Sequence, residues 1–141
     1  MTLLIHKTLK IVSFCLLLGI ATGSNACHAQ ELSDAIQDSL VAWSSHDFSE
    51  HGPSVESVRN VHVRFATLSS GERSYVLCGQ FHAVSDNADA VWTHFATIMT
   101  DPYEQWVGAM AESHCERAQF IDHPKDLSAA LQSSLHAAKS K

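Results

Sequence analysis

Two alternating runs joined by a short turn set the strongest limit on how this chain can fold. In residues 58–68, Val61, Val63 and Phe65 fall on one side and His62 and Arg64 on the other. In residues 75–83, Tyr75, Leu77, Gly79, Phe81 and Ala83 share a side, and Val76, Cys78, Gln80 and His82 take the other. A period of two marks a half-buried strand, because successive side chains of extended backbone leave opposite faces. Ser69-Ser70-Gly71-Glu72 supplies turn residues between them, so the pair reads as an antiparallel hairpin. A polar loop follows at 84–89, and residues 91–99 (VWTHFATIM) are β-branched and aromatic enough for a third strand.

Helical spacing flanks these strands. Over 31–45, Leu32, Ile36, Leu40 and Trp43 form one stripe, with Asp34, Gln37 and Asp38 opposite. Residues 44–54 read as a polar loop broken by Gly52-Pro53. Asp101 as N-cap and Pro102 in the first turn predict a second helix, with Tyr103, Trp106, Val107, Met110, Ala111, His114 and Cys115 at 3.6 spacing. A third fits 126–138, capped by Asp126, with Leu127, Ala130, Leu131 and Leu135 on one side. The fold class expected is α+β: a three-stranded antiparallel sheet with an N-terminal helix and two C-terminal helices packed on one face.

The start of the chain sets the compartment. Lys7 and Lys10 precede an eleven-residue weakly polar to apolar run, Ile11 to Ala21, and small residues follow to Ala29. A membrane span needs about 20 residues, whereas this order is that of a secretory signal peptide. Residues 1–29 are read as that leader, cut after Ala29 or Ala26, and residues 30–141 as one small periplasmic or secreted domain. A lipid anchor at Cys27 is not expected, since in Ser24-Asn25-Ala26-Cys27 only the last two residues fit a lipoprotein box. With the leader gone, 7 basic residues face 15 acidic ones, a net charge of −8, against −6 for the whole chain. Cys78 and Cys115 are then the remaining cysteines, and an isolated pair in an oxidising compartment predicts a disulfide. It would tie the second strand to the second helix.

The same composition excludes several function classes. The acidic balance argues against a nucleic-acid partner. There is no Walker loop, dinucleotide glycine fingerprint, CxxC or HExxH, and no cofactor is expected. Histidine is over-represented, with His46, His51, His62, His82, His94, His114, His123 and His136 beyond the leader. Protonating them together would carry the domain's charge towards zero. His62, His82 and His94, one per predicted strand, are the three that could meet at a metal, although solvent-facing strand histidines are the commoner outcome. Ser113-His114-Cys115-Glu116 has the letters of a nucleophilic site, but neighbours on a helix point in different directions. Asp86 and Asp89 are too few oxygens for a calcium loop. Trp92 and Trp106 are the candidates for an interface anchor, as tryptophan is enriched at binding hot spots.

Two resemblances add to this. Arg59-Asn60-Val61, then Val76-Leu77-Cys78-Gly79-Gln80-Phe81-His82-Ala83, then Trp92-Thr93-His94-Phe95 and the later Cys115 resemble a group of small secreted bacterial proteins. Their pattern is an R-N-V strand, a V-C-G-x-V-N-A-K-N segment, an aromatic strand and a later Cys. This chain departs from it at His82, Val84 and Ser85. The resemblance spans roughly residues 53–115 and implies compartment and fold, with no activity attached. In size and layout the chain also resembles the small cofactor-free third subunit of membrane-bound quinohaem alcohol dehydrogenases. The function expected is that of a non-catalytic periplasmic accessory protein docking on and stabilising a larger periplasmic or membrane-bound complex. The alternative is a secreted inhibitor or ligand-binding module.

Overall fold

The structure is a computed structural model and describes residues 32–84 and 91–140. The predicted hairpin is its centre: β1 (Val55–Thr67) pairs antiparallel with β2 (Arg73–Ala83). β3 (Thr93–Ile98) is the third predicted strand. Two further strands, β4 (Glu104–Val107) and β5 (Ile121–Asp122), extend the sheet to five, in the order β4-β3-β2-β1-β5. The helices are α1 (Asp34–Glu50), α2 (Ala109–Cys115) and α3 (Ser128–Lys139). The α+β class and antiparallel sheet are as expected; the strand number is five, not three.

The helix expected from Asp101 is where the sequence reading fails. Asp101-Pro102 lies in the turn from β3 to β4, and Gln105 and Trp106 pair with Thr97 and Ala96. Tyr103, Trp106 and Val107 match helical spacing by coincidence, since four residues are too few to separate the two periods. Gly108, at φ 70°, turns the chain out of β4 and into α2, a conformation glycine takes without steric cost.

Alternation assigns the faces as predicted. Val61, Val63, Leu77, Phe81 and Phe95 form one core with Leu40, Val41 and Phe48 of α1, Leu131 and Leu135 of α3, and Leu127 just before α3. α1 runs five residues beyond the predicted end because its inner face is Gln37, Leu40, Val41, Ser44, Ser45 and Phe48. Two buried serines make that face look like a loop. Phe48 packs edge-on to Phe81 and Phe95, with centroids 5.0 and 5.4 Å away. Trp43 packs half-buried against the border of that core and stacks on Tyr103 at 5.5 Å. Burial, and then Asp47, pushes the Tyr103 hydroxyl above its ordinary pKa.

α2 packs on the opposite face, not beside α1 and α3. Cys78 points away from the main core, and its disulfide to Cys115 at the end of α2 (S–S 2.04 Å) draws that helix to its own side. Ala111 and Cys115 close there on Val76, Cys78 and Ala96, with Trp106 and Phe120 at the border.

β1 carries a bulge that alternation cannot show. Arg59 pairs with Gln80 but His62 with Cys78, so one extra residue is inserted. Asn60 takes it up at φ 54°, a left-handed conformation that asparagine tolerates and β-branched residues do not. Asn60→Val is expected to lower unfolding free energy by about 1–2 kcal/mol, and Asn60→Gly to stay near the parent, in urea titrations.

The outer edge of β1 is closed mainly by the C-terminal segment. Gln132 accepts from the Val58 N–H (3.0 Å) and donates to the Glu56 carbonyl (3.2 Å). The Val61 N–H donates to the Ser128 hydroxyl (3.1 Å), and its carbonyl accepts from the Leu127 N–H (2.7 Å). A strand edge so occupied is not a template for another chain. Asp126 sets up this contact by accepting from the Ser128 N–H at 2.7 Å. Hydrogen bonds from the Ser128 side chain and backbone hold the Asp126 carboxyl below its ordinary range, and His62 adds to this. A lowered carboxyl pKa contributes stability above the unfolded value, and that contribution fades as pH falls through the folded one. Asparagine can still accept from the Ser128 N–H and the exposed carboxyl is screened by solvent, so Asp126→Asn is expected to cost only about 0.5 kcal/mol or less at neutral pH. The gap from the parent should close in urea titrations below about pH 4.

Candidate functional site on the open face of the sheet

α2 covers the sheet's second face over β2, β3 and β4. Towards β1, the same face presents polar side chains that are half-buried or exposed. The bulge at Asn60 determines which. Without it, Arg59 and His62 would lie on opposite faces, because they are an odd number of residues apart. With it, both join Arg64, Gln80 and His94 on the open side.

These residues form two groups. In the first, the Arg59 guanidinium lies 4.0 Å over the Trp92 ring, and its Nε donates to Gln80 Oε1 at 2.9 Å. That contact orients the Gln80 amide, whose nitrogen then donates to His94 Nε2 at 2.9 Å. His94 Nε2 also lies 3.9 Å from Glu112 of α2. His82 Nδ1 donates to Glu56 at 2.8 Å, and its ring sits 5.4 Å from Trp92. In the second group, Arg64 donates through Nε to Asp122 (2.6 Å) and through Nη2 to the Phe120 carbonyl (3.2 Å). His62 donates from Nδ1 to the Asn60 carbonyl (2.9 Å) and turns Nε2 towards Asp122 at 3.4 Å.

Between the groups lies a cleft of about 330 Å³. Gly79 and the Cys78–Cys115 disulfide line it, together with His62, Arg64 and Asp122 from the β1–β5 side and Gln80 and His94 from the other. The disulfide thus staples α2 to the sheet and borders the cleft as well.

The sequence candidates are placed as follows. His62 and His82 lie on the face away from the main core, as expected, and the register adds His94, whose side alternation left open; each has its own partner. Among the described residues, no three His, Cys, Asp or Glu side chains are arranged to hold a metal. Trp92 stands on the open face. Trp106 is partly spent on the second cluster, its indole donating to Glu104 at 3.1 Å and its ring 5.4 Å from His114. Cys115 is oxidised, so Ser113-His114-Cys115 is no nucleophilic site. Asp86, Asp89, Cys27 and the leader lie outside the described residues. Arg59, Gln80 and Asp122 escaped the sequence reading. An asparagine amid an alternating strand is the one signal that could have recovered Arg59.

No family model, no curated protein and no solved structure matches this chain. Among the described residues, no helix is long and apolar enough to cross a membrane.

Proposed function

We propose that the protein is a non-catalytic periplasmic accessory protein that docks on a larger periplasmic or membrane-associated partner through the open face of its sheet. One observation supports this above the others. The face left uncovered between β1 and α2 carries two hydrogen-bonded groups, Arg59–Gln80–His94 and His62 with Arg64 on Asp122, held before any partner arrives. Preset polar side chains bind without the ordering cost that flexible ones incur. A dehydrogenase complex of the quinohaem type is one such partner, on the resemblance in size and layout.

The test is affinity recovery of the natively expressed protein in mild detergent, with mass spectrometry. Stoichiometric recovery of one large complex is the expected result, and a lone monomer would remove the reading. The cleft of about 330 Å³ favours a second reading, a small-ligand module, because ligand pockets start at about that size. That reading expects a small molecule to co-purify with the monomer.

A further inference from the structure

Arg59-Asn60-Val61 and Trp92-Thr93-His94 supply part of the docking face, but the docking reading does not say what chemistry they recognise. In the fold they meet. Asn60 makes the bulge, Val61 enters the core, and Arg59 is thrown onto the open face against Trp92. The result is an arginine held from two directions. Its guanidinium carbon lies 4.0 Å over the Trp92 ring, and its Nε donates to Gln80. Among the described residues, no carboxylate pairs with it, whereas Arg64 has Asp122 and Lys125 has Asp34. Arg59 is exposed, so its guanidinium is accessible from solvent.

We propose that Arg59, laid on Trp92, is the recognition point for a carboxylate of the docking partner. The site deepens the docking reading and rests on it. A guanidinium edge offers two parallel N–H groups, which match the two oxygens of a planar carboxylate. A dianionic phosphate fits less well. Glu56 stands on His82 beside Trp92, and the chain's own net charge is −6. One arginine balances one negative charge there, not two. Val91, adjacent to Trp92 and 76% exposed, gives an aliphatic neighbour of that carboxylate a surface to cover. The ligand class is thus an acidic peptide segment with an aliphatic flank, its carboxylate coming from a side chain or from a chain terminus.

The test titrates the folded, isotope-labelled full domain with sodium acetate at constant ionic strength, following the Arg59 Nε–H and Trp92 indole N–H signals by NMR. Sodium chloride and inorganic phosphate are the comparisons. Two short peptides then separate the sources: Ac-Val-Glu-Val-NH2 carries only a side-chain carboxylate, and Ac-Val-Ala-Val-OH only a terminal one. Saturable shifts with acetate and with at least one peptide are expected. Arg59→Gln should weaken them about tenfold or more. Arg59→Lys, which keeps the charge but loses the planar fork, should fall between. Shifts no different from those of chloride, or phosphate binding as tight as acetate, would overturn the proposal. In the affinity recovery, loss of the partner with Arg59→Gln supports it. Recovery unaffected by Arg59→Gln overturns it and leaves docking standing. A lone monomer that still binds the peptides would instead sink the docking reading and leave the carboxylate site in place.

Discussion

Replacing Cys78 and Cys115 together by alanine should lower the unfolding free energy by about 4 kcal/mol. The bridge spans a sequence separation of 37, and in the loop-entropy account closing a loop of that size restricts the unfolded chain by about this amount. Domains of this size are stable by only about 5–15 kcal/mol, so the loss is a large share of the total. A local effect should accompany it. α2 has seven residues, too few to hold as an isolated helix. Its buried contacts are Ala111 and Cys115 itself. Urea titration measures the global loss, and hydrogen exchange of residues 109–115 the local one. An urea midpoint unchanged by the double substitution, or by reduction, would show that α2 and the open face hold without the bridge.

The second large effect is expected where β2 and β3 cross. Phe95 is fully buried and lies over Gly79, its partner in the register. A Cβ on Gly79 would sit 2.6 and 2.8 Å from Phe95 ring carbons and 2.9 Å from Val61. Those separations are well inside ordinary contact, and neither neighbour has room to retreat. Gly79→Ala should therefore cost about 1–3 kcal/mol by overpacking, and Phe95→Ala about 3–5 kcal/mol by leaving a cavity. The two are coupled. In Gly79→Ala/Phe95→Leu the smaller side chain vacates the space the new methyl needs, so the double variant should lose less than the sum of its singles. Additive losses in urea titrations would contradict the ring-over-glycine packing.

Much of the fold was legible in the sequence, for a simple reason. Val61, Val63, Leu77 and Phe81 alternate without interruption, and Cys78 and Cys115 are an isolated pair beyond the leader. Each signal has one natural solution. What escaped depended on contacts remote in sequence. β4 and β5 are strands of four and two residues, too short for a period of their own. The end of α1 was hidden because Ser44 and Ser45 are buried by packing, not by hydrophobicity. The candidate site was half legible. His62 and His82 could be placed on the face away from the core, but the side of His94 and the separate partners Asp122, Glu56 and Gln80 could not be foreseen. Arg59 was assigned to no site because a single bulge at Asn60 reverses its side.

In the proposed complex the open face, and not the helical face, meets the partner. The direct measurement compares affinity recovery for two charge-altered variants of the natively expressed protein. One carries Arg59→Glu and Glu116→Arg on the open side. The other carries Asp38→Arg and His46→Glu on the exposed side of α1. All four residues are exposed, so both variants should fold. The open-face variant is expected to lose its stoichiometric partner while the α1 variant keeps it. Equal recovery with both, or loss confined to the α1 variant, would contradict docking through the open face.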